Sequence, residues 1–107
     1  MRKAGAVVAA SAFAMPVDTA EHTVTMQDAA YVPAEIHATS GDSIRFVNDD
    51  DADHEVFVPT VGFGVDLGKQ EPGTEKTLSL MRRGTFEVEC VFHPGMLLTV
   101  TVQGDGQ

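Results

Sequence analysis

The chain has little with which to make covalent staples or a positive surface. One cysteine in 107 residues excludes a disulfide within the chain. It also excludes a four-cysteine zinc site and a binuclear centre built on two thiolates. Tryptophan is absent and tyrosine occurs once, in an otherwise ordinary globular composition at 43% hydrophobic. Basic residues number 7 against 16 acidic, a formal net charge of −9. That balance argues against nucleic acid or an anionic membrane as partner and favours a basic protein whose approach is steered by charge. No helical period persists over a useful length, and there is no internal repeat or low-complexity segment. The one long apolar stretch, near the start, is about half the ~20 residues that a spanning helix needs, so stable membrane insertion is not expected.

A chain of this length reads as one domain with a single core. Residues 1–14 have the pattern of a signal peptide or leader remnant, with Arg2 and Lys3 as a short basic region, a small-residue apolar run, and Ala12-Phe13-Ala14 as a cleavage signature. The chain is therefore expected to be exported, in bacteria to the periplasm. Loss of the leader leaves five basic residues against 16 acidic, a net charge of −11. Export also places a lone thiol in an oxidising compartment, where metal ligation would explain its persistence. Residues 15–21 read as a flexible N-terminal segment, 22–103 as the folded domain and 104–107 as a tail.

Within that domain short segments alternate apolar and polar side chains, as half-buried strands do. They are residues 22–26, 43–48, 54–58, 74–80, 85–90 and 97–103, with 31–38 extended and Pro33 tolerable only at an edge or bulge. Residues 59–73, with two prolines and four glycines, read as a long, partly apolar loop. Turn signals at intervals of about 8 to 12 residues predict an all-β, Greek-key β-sandwich of seven to eight strands. Met26 is expected in the core and Met81 in a turn; Met15 has no ligand spacing.

The chemistry concentrates at Cys90-Val91-Phe92-His93-Pro94-Gly95-Met96, where three soft or borderline ligands follow a strand. A thiolate, an imidazole and a thioether favour an ion that cycles between Cu(I) and Cu(II), and two histidines, a cysteine and a weak axial methionine describe a blue-copper site. The second histidine is expected to be His54, which opens the segment His54-Glu55-Val56-Phe57-Val58. Cys90, His93 and Met96 can point into one tight turn, with His54 reaching it from the neighbouring strand. His22 and His37 are expected to face solvent, and the run Asp49-Asp50-Asp51 with Asp53 to form a solvated acidic loop.

These residues, in the frame Tyr31-Val32-Pro33, Gly41-Asp42, Ile44, Phe46-Val47-Asn48, Pro72-Gly73 and Gly84, resemble the cupredoxins, and the short ligand loop is most similar to that of the amicyanins. The resemblance spans residues 22–103. It implies one type 1 copper held by His54 Nδ1, Cys90 Sγ, His93 Nδ1 and a weak Met96 Sδ, with electrons passing through the exposed edge of His93. A one-electron carrier, not an enzyme, follows, expected as a monomer serving a basic redox protein such as a cytochrome c or a multidomain oxidoreductase. Two features depart from the family pattern. Glu55 stands where many members have an asparagine that ties the two ligand-bearing loops, and the acidic loop beside His54 should favour Cu(II) and lower the potential. Pro94, Gly95 and Leu97, with Val61 and Phe63, are expected to form an apolar collar around His93 suited to brief docking. Two rival readings are a periplasmic copper chaperone or scavenger, and a red-type centre with Glu55 as a ligand. Zinc could fill His54, Cys90 and His93 during heterologous expression.

Overall fold

The computed structural model describes residues 18–104. The leader pattern, Met15 and the end of the tail lie outside the described residues. Nine strands are present: β1 (Glu21–Gln27), β2 (Ala30–Val32), β3 (Glu35–Thr39), β4 (Ser43–Asn48), β5 (His54–Val58), β6 (Val65–Gln70), β7 (Glu75–Ser79), β8 (Gly84–Glu89) and β9 (Leu97–Gln103). They form a four-stranded sheet ordered β2-β1-β4-β7 and a five-stranded sheet ordered β3-β9-β8-β5-β6. No helix occurs among the described residues.

The alternation predicted from sequence produces the two-layer packing. In β4, Ile44, Phe46 and Asn48 point inward while Ser43, Arg45 and Val47 do not, and in β9 Leu98, Val100 and Val102 are buried between less buried neighbours. These inward residues meet Val24, Met26, Val56, Val58, Leu78, Leu80, Phe86 and Val88 to form the core between the sheets. Burying such side chains contributes roughly 1.5–3 kcal/mol each. Parallel pairing of β1 with β4 and of β3 with β9 requires chain crossovers between the layers, so neither sheet is a simple meander.

Two elements exceed the sequence expectation and raise the strand number to nine. The extended segment 31–38 is broken at Pro33, preceded by a cis peptide bond, so β2 ends on the edge of one sheet and β3 begins on the edge of the other. The supposed loop 59–73 contains β6, which pairs antiparallel with β5 across a register shift between Glu55 and Phe57. Its burial does not alternate regularly, and Gly68 adopts a left-handed φ of 80°, which hides the strand from a period-2 search.

Strand direction fixes the two ends of the sandwich. β5 pairs with β8 at Phe57 and Glu89 in antiparallel sense, so His54 lies at the Cys90 end and the chain after Val58 runs away from it. At that far end Phe63 packs edge-on against Phe86 with centroids 5.3 Å apart, and the Arg82 guanidinium sits 5.7 Å above the Phe63 ring. Arg82 Nη1 also donates to the Gly62 carbonyl at 2.7 Å. Val61 and Phe63 therefore do not form a collar around His93, contrary to the sequence expectation. Their apolar character serves the opposite pole, where Phe63 covers the end of the core and Val61 is almost fully exposed.

Candidate metal centre

Three side chains from two distant parts of the chain converge at one end of the sandwich. Cys90 Sγ lies 3.9 Å from His54 Nδ1 and 3.8 Å from His93 Nδ1, and all three atoms fall within 4.8 Å of one another. The two imidazole rings are 4.7 Å apart between centroids, tilted by 56°. Bonds from nitrogen and sulfur donors to a first-row ion of this class are about 2.0–2.3 Å long. Each S···N separation is shorter than the sum of two such bonds, so a single ion could contact sulfur and nitrogen together. The donor set fits copper.

Local structure explains the convergence. Cys90 follows the last residue of β8 and is buried. The chain then turns twice, His93 N–H donating to the Cys90 carbonyl at 3.3 Å and Met96 N–H to the His93 carbonyl at 3.0 Å. Gly95 takes a φ of 92° in the second turn, a conformation that costs a β-carbon-bearing residue energy. The two turns bring Met96 back into the core at 2% exposure. His54 is fully buried and His93 is partly exposed, so only the second imidazole offers an edge to solvent.

Glu55, directly after His54, is also buried. Its carboxylate accepts a hydrogen bond from Val91 N–H at 3.2 Å, joining β5 to the ligand loop one residue beyond Cys90. The tie that an asparagine makes in many family members is thus made here by a carboxylate. Burial, then the nearby Asp66 carboxylate, pushes the Glu55 carboxyl above the ordinary glutamate range, while the Val91 N–H pulls it back. Among the described residues the group of converging donors is His54, Cys90 and His93 without Glu55, so the red-type alternative finds no geometric support. The Glu55 carbonyl in turn accepts from the Tyr31 hydroxyl at 2.5 Å, which connects β5 to the opposite sheet.

The acidic loop is more structured than its composition suggests. Asn48, fully buried, donates through Nδ2 to the carbonyls of Ala52 at 2.9 Å and Gln70 at 2.8 Å, and its Oδ1 accepts from Asp50 N–H at 3.0 Å. This folds the loop back on itself. Asp49 and Asp51 remain exposed, but the Asp50 side chain is only 14% exposed and its Oδ2 lies 2.8 Å from His54 Nε2. The expectation of a uniformly solvated loop fails at this residue, because four positions before a buried imidazole a carboxylate can reach its outer nitrogen. His22 is a second correction: it is half-buried, with Nε2 2.9 Å from Asp42 Oδ2. His37 is solvent-facing, as expected, at 71% side-chain exposure.

The chain's residues 4–102 match the model of the cupredoxin-like domain family. The chain belongs to the cupredoxin-like family. It is 32% identical over 87 residues to the methylamine utilization protein MauL of Methylorubrum extorquens, an alignment covering 80% of this chain and 76% of that one. It is also 32% identical over 76 residues to MauL of Methylophilus methylotrophus, covering 68% of this cupredoxin but only 44% of that longer relative. Among solved structures, an amicyanin variant in its reduced state superposes with a TM-score of 0.72 at 22% identity, over 77% of this chain and 81% of the other. A purple cupredoxin from Nitrosopumilus maritimus superposes at 0.68 and 19% identity, over 77% and 99%. At those identities the superpositions establish the shared sandwich fold.

Proposed function

We propose that this cupredoxin is an exported one-electron carrier that holds a single type 1 copper through His54, Cys90, His93 and Met96. The observation that carries the reading is the convergence of Cys90 Sγ with the two Nδ1 atoms, each S···N distance below 4 Å. When bound, the metal supplies a Cu(II)/Cu(I) couple. The chain's contribution is to fix the ligands before the ion arrives. Two turns hold Cys90, His93 and Met96, the Glu55 to Val91 bond ties that loop to the strand bearing His54, and Tyr31 braces the same strand from the other sheet. Ligands held by a close-packed sandwich move little between oxidation states, which keeps reorganisation small.

The copper end also has the features of a brief contact surface. Val91, Phe92 and Leu97 are 61%, 47% and 43% exposed around the partly exposed His93. An apolar patch of this kind excludes water from the path between two redox centres without a large interface. The acidic loop beside it supplies attraction to a basic partner, a cytochrome c or a multidomain oxidoreductase, and rapid exchange suits a monomer.

A carrier and a copper chaperone differ in how firmly they keep the ion. Loaded with one equivalent of Cu(II), reduced with ascorbate and challenged with excess Cu(I) chelator, the carrier is expected to retain copper and to reoxidise reversibly over many cycles. Transfer of the ion to the chelator within seconds would identify a chaperone.

A further inference from the structure

Resting on the copper reading above, the geometry points to Asp50 as the positioning residue of His54. It fixes the imidazole's tautomer and orientation, and it is the one member of the acidic loop whose charge acts directly on the site. The argument begins with hydrogen-bond inventory. An ionised carboxylate only accepts, so the 2.8 Å contact between Asp50 Oδ2 and His54 Nε2 requires the proton on Nε2. In the neutral imidazole Nδ1 is then left as a bare lone pair, and it is the atom that faces Cys90 Sγ at 3.9 Å. A histidine so held is a competent metal ligand before any ion is present, and a carboxylate behind it raises its basicity.

Asp50 is itself held in place. Its Oδ2 accepts from Ala29 N–H at 2.9 Å and its Oδ1 from Asp51 N–H at 3.0 Å, while its own N–H is bound by the buried Asn48. With a backbone N–H on each of its two oxygens, the Asp50 side chain is arranged as an acceptor toward His54. Among the described residues no lysine or arginine forms an ion pair with it; the nearest such pair in the loop is Asp53 with Lys69 at 4.0 Å. The negative charge therefore reaches the site through one imidazole. Asp49 and Asp51, exposed to water, are screened.

Single substitutions separate these roles. Asp50→Asn keeps an acceptor oxygen and removes the charge, Asp50→Ala removes both, and Asp49→Asn and Asp51→Asn remove the same charge from the same loop without touching His54. Two readouts are used: redox titration of the copper-loaded proteins, and ¹⁵N shifts of the His54 ring in the metal-free proteins. Asp50→Asn is expected to move the Cu(I)-to-Cu(II) affinity ratio toward Cu(I) by about tenfold, a rise of about 59 mV for a one-electron couple, with each control below threefold. The wild type and Asp50→Asn should keep the Nε2–H tautomer, and Asp50→Ala should lose it. Equal shifts for Asp50→Asn and the controls would overturn the inference, as would an Nδ1–H tautomer in the wild type. A wild type that gives no copper couple removes the copper reading itself, whereas the tautomer test judges the positioning role without copper.

Discussion

Replacing Tyr31 by phenylalanine removes one oxygen atom and tests whether the two sheets are braced at the copper end. The Tyr31 ring is 2% exposed and stands edge-on to Phe46, centroids 6.1 Å apart at 72°, packing that phenylalanine preserves. What is lost is the 2.5 Å bond from the hydroxyl to the Glu55 carbonyl. A neutral hydrogen bond contributes roughly 0.5–1.5 kcal/mol net, and a buried acceptor left without a partner costs roughly 1–3 kcal/mol. A destabilisation of about 1–2 kcal/mol follows, and at about 4–8 °C per kcal/mol for a domain of this size the Tm should fall by at least about 4 °C. Burial first, then the Cys90, Glu55 and Glu89 charges, pushes the Tyr31 phenol far above its ordinary value. The folded phenol thus stays protonated where the unfolded one ionises. Its stabilisation is complete below pH about 10 and is lost as pH rises beyond that. Urea unfolding of the metal-free proteins at pH 7 and at pH 10.5 measures both parts: the wild-type advantage should be about 1–2 kcal/mol at neutral pH and smaller at alkaline pH. A variant as stable as wild type at pH 7, or a gap that widens above pH 10, would refute the brace.

Other perturbations follow from the same structure. The Thr39 N–H, then His22 and the Ala20 N–H, lowers the Asp42 carboxyl to about 2. The stability it confers is present above the ordinary aspartate value near 3.9 and is lost as pH falls from there toward 2, so thermal melts of Asp42→Asn should be flatter than wild type across that window. Glu55→Ala frees the Val91 N–H and should cost about 1 kcal/mol or more in urea unfolding, whereas Glu55→Gln, which keeps an acceptor, should cost less; equal losses would count against the tie. Association with a basic redox protein should slow at least about tenfold as ionic strength rises from roughly 0.01 to 0.5 M, and a rate indifferent to salt would exclude steering by the acidic loop.

Much of this arrangement is written in the sequence, and the exceptions have identifiable causes. Ser43–Asn48 and Leu97–Gln103 alternate because one face of each strand meets the core and the other does not, and alternation is visible in the residue types alone. Cys90 and His93 are close in the chain, so their convergence needs only a turn, and His54 was sought because the chemistry calls for a second imidazole. Val65–Gln70 was hidden by Gly68 and by a paired strand with a shifted register. Val61 and Phe63 were placed at the wrong pole because apolar residues in a loop do not reveal which end of a sandwich they cover. That depends on strand direction, which the antiparallel pairing of β5 and β8 determines. Asp50 looked like one charge among several because solvation and a contact at 2.8 Å with a buried imidazole leave the same letters in the sequence. The four-residue spacing from Asp50 to His54, with Asn48 before them, is the signal that could have identified it.

The most direct test is the visible spectrum of the copper-loaded protein beside that of Cys90→Ser. Coordination by the Cys90 thiolate and two imidazoles predicts an intense charge-transfer band in the wild type that ascorbate bleaches and an oxidant restores, and that the serine variant lacks. Cu(II) bound with only weak absorption, the same in both proteins, would contradict the account.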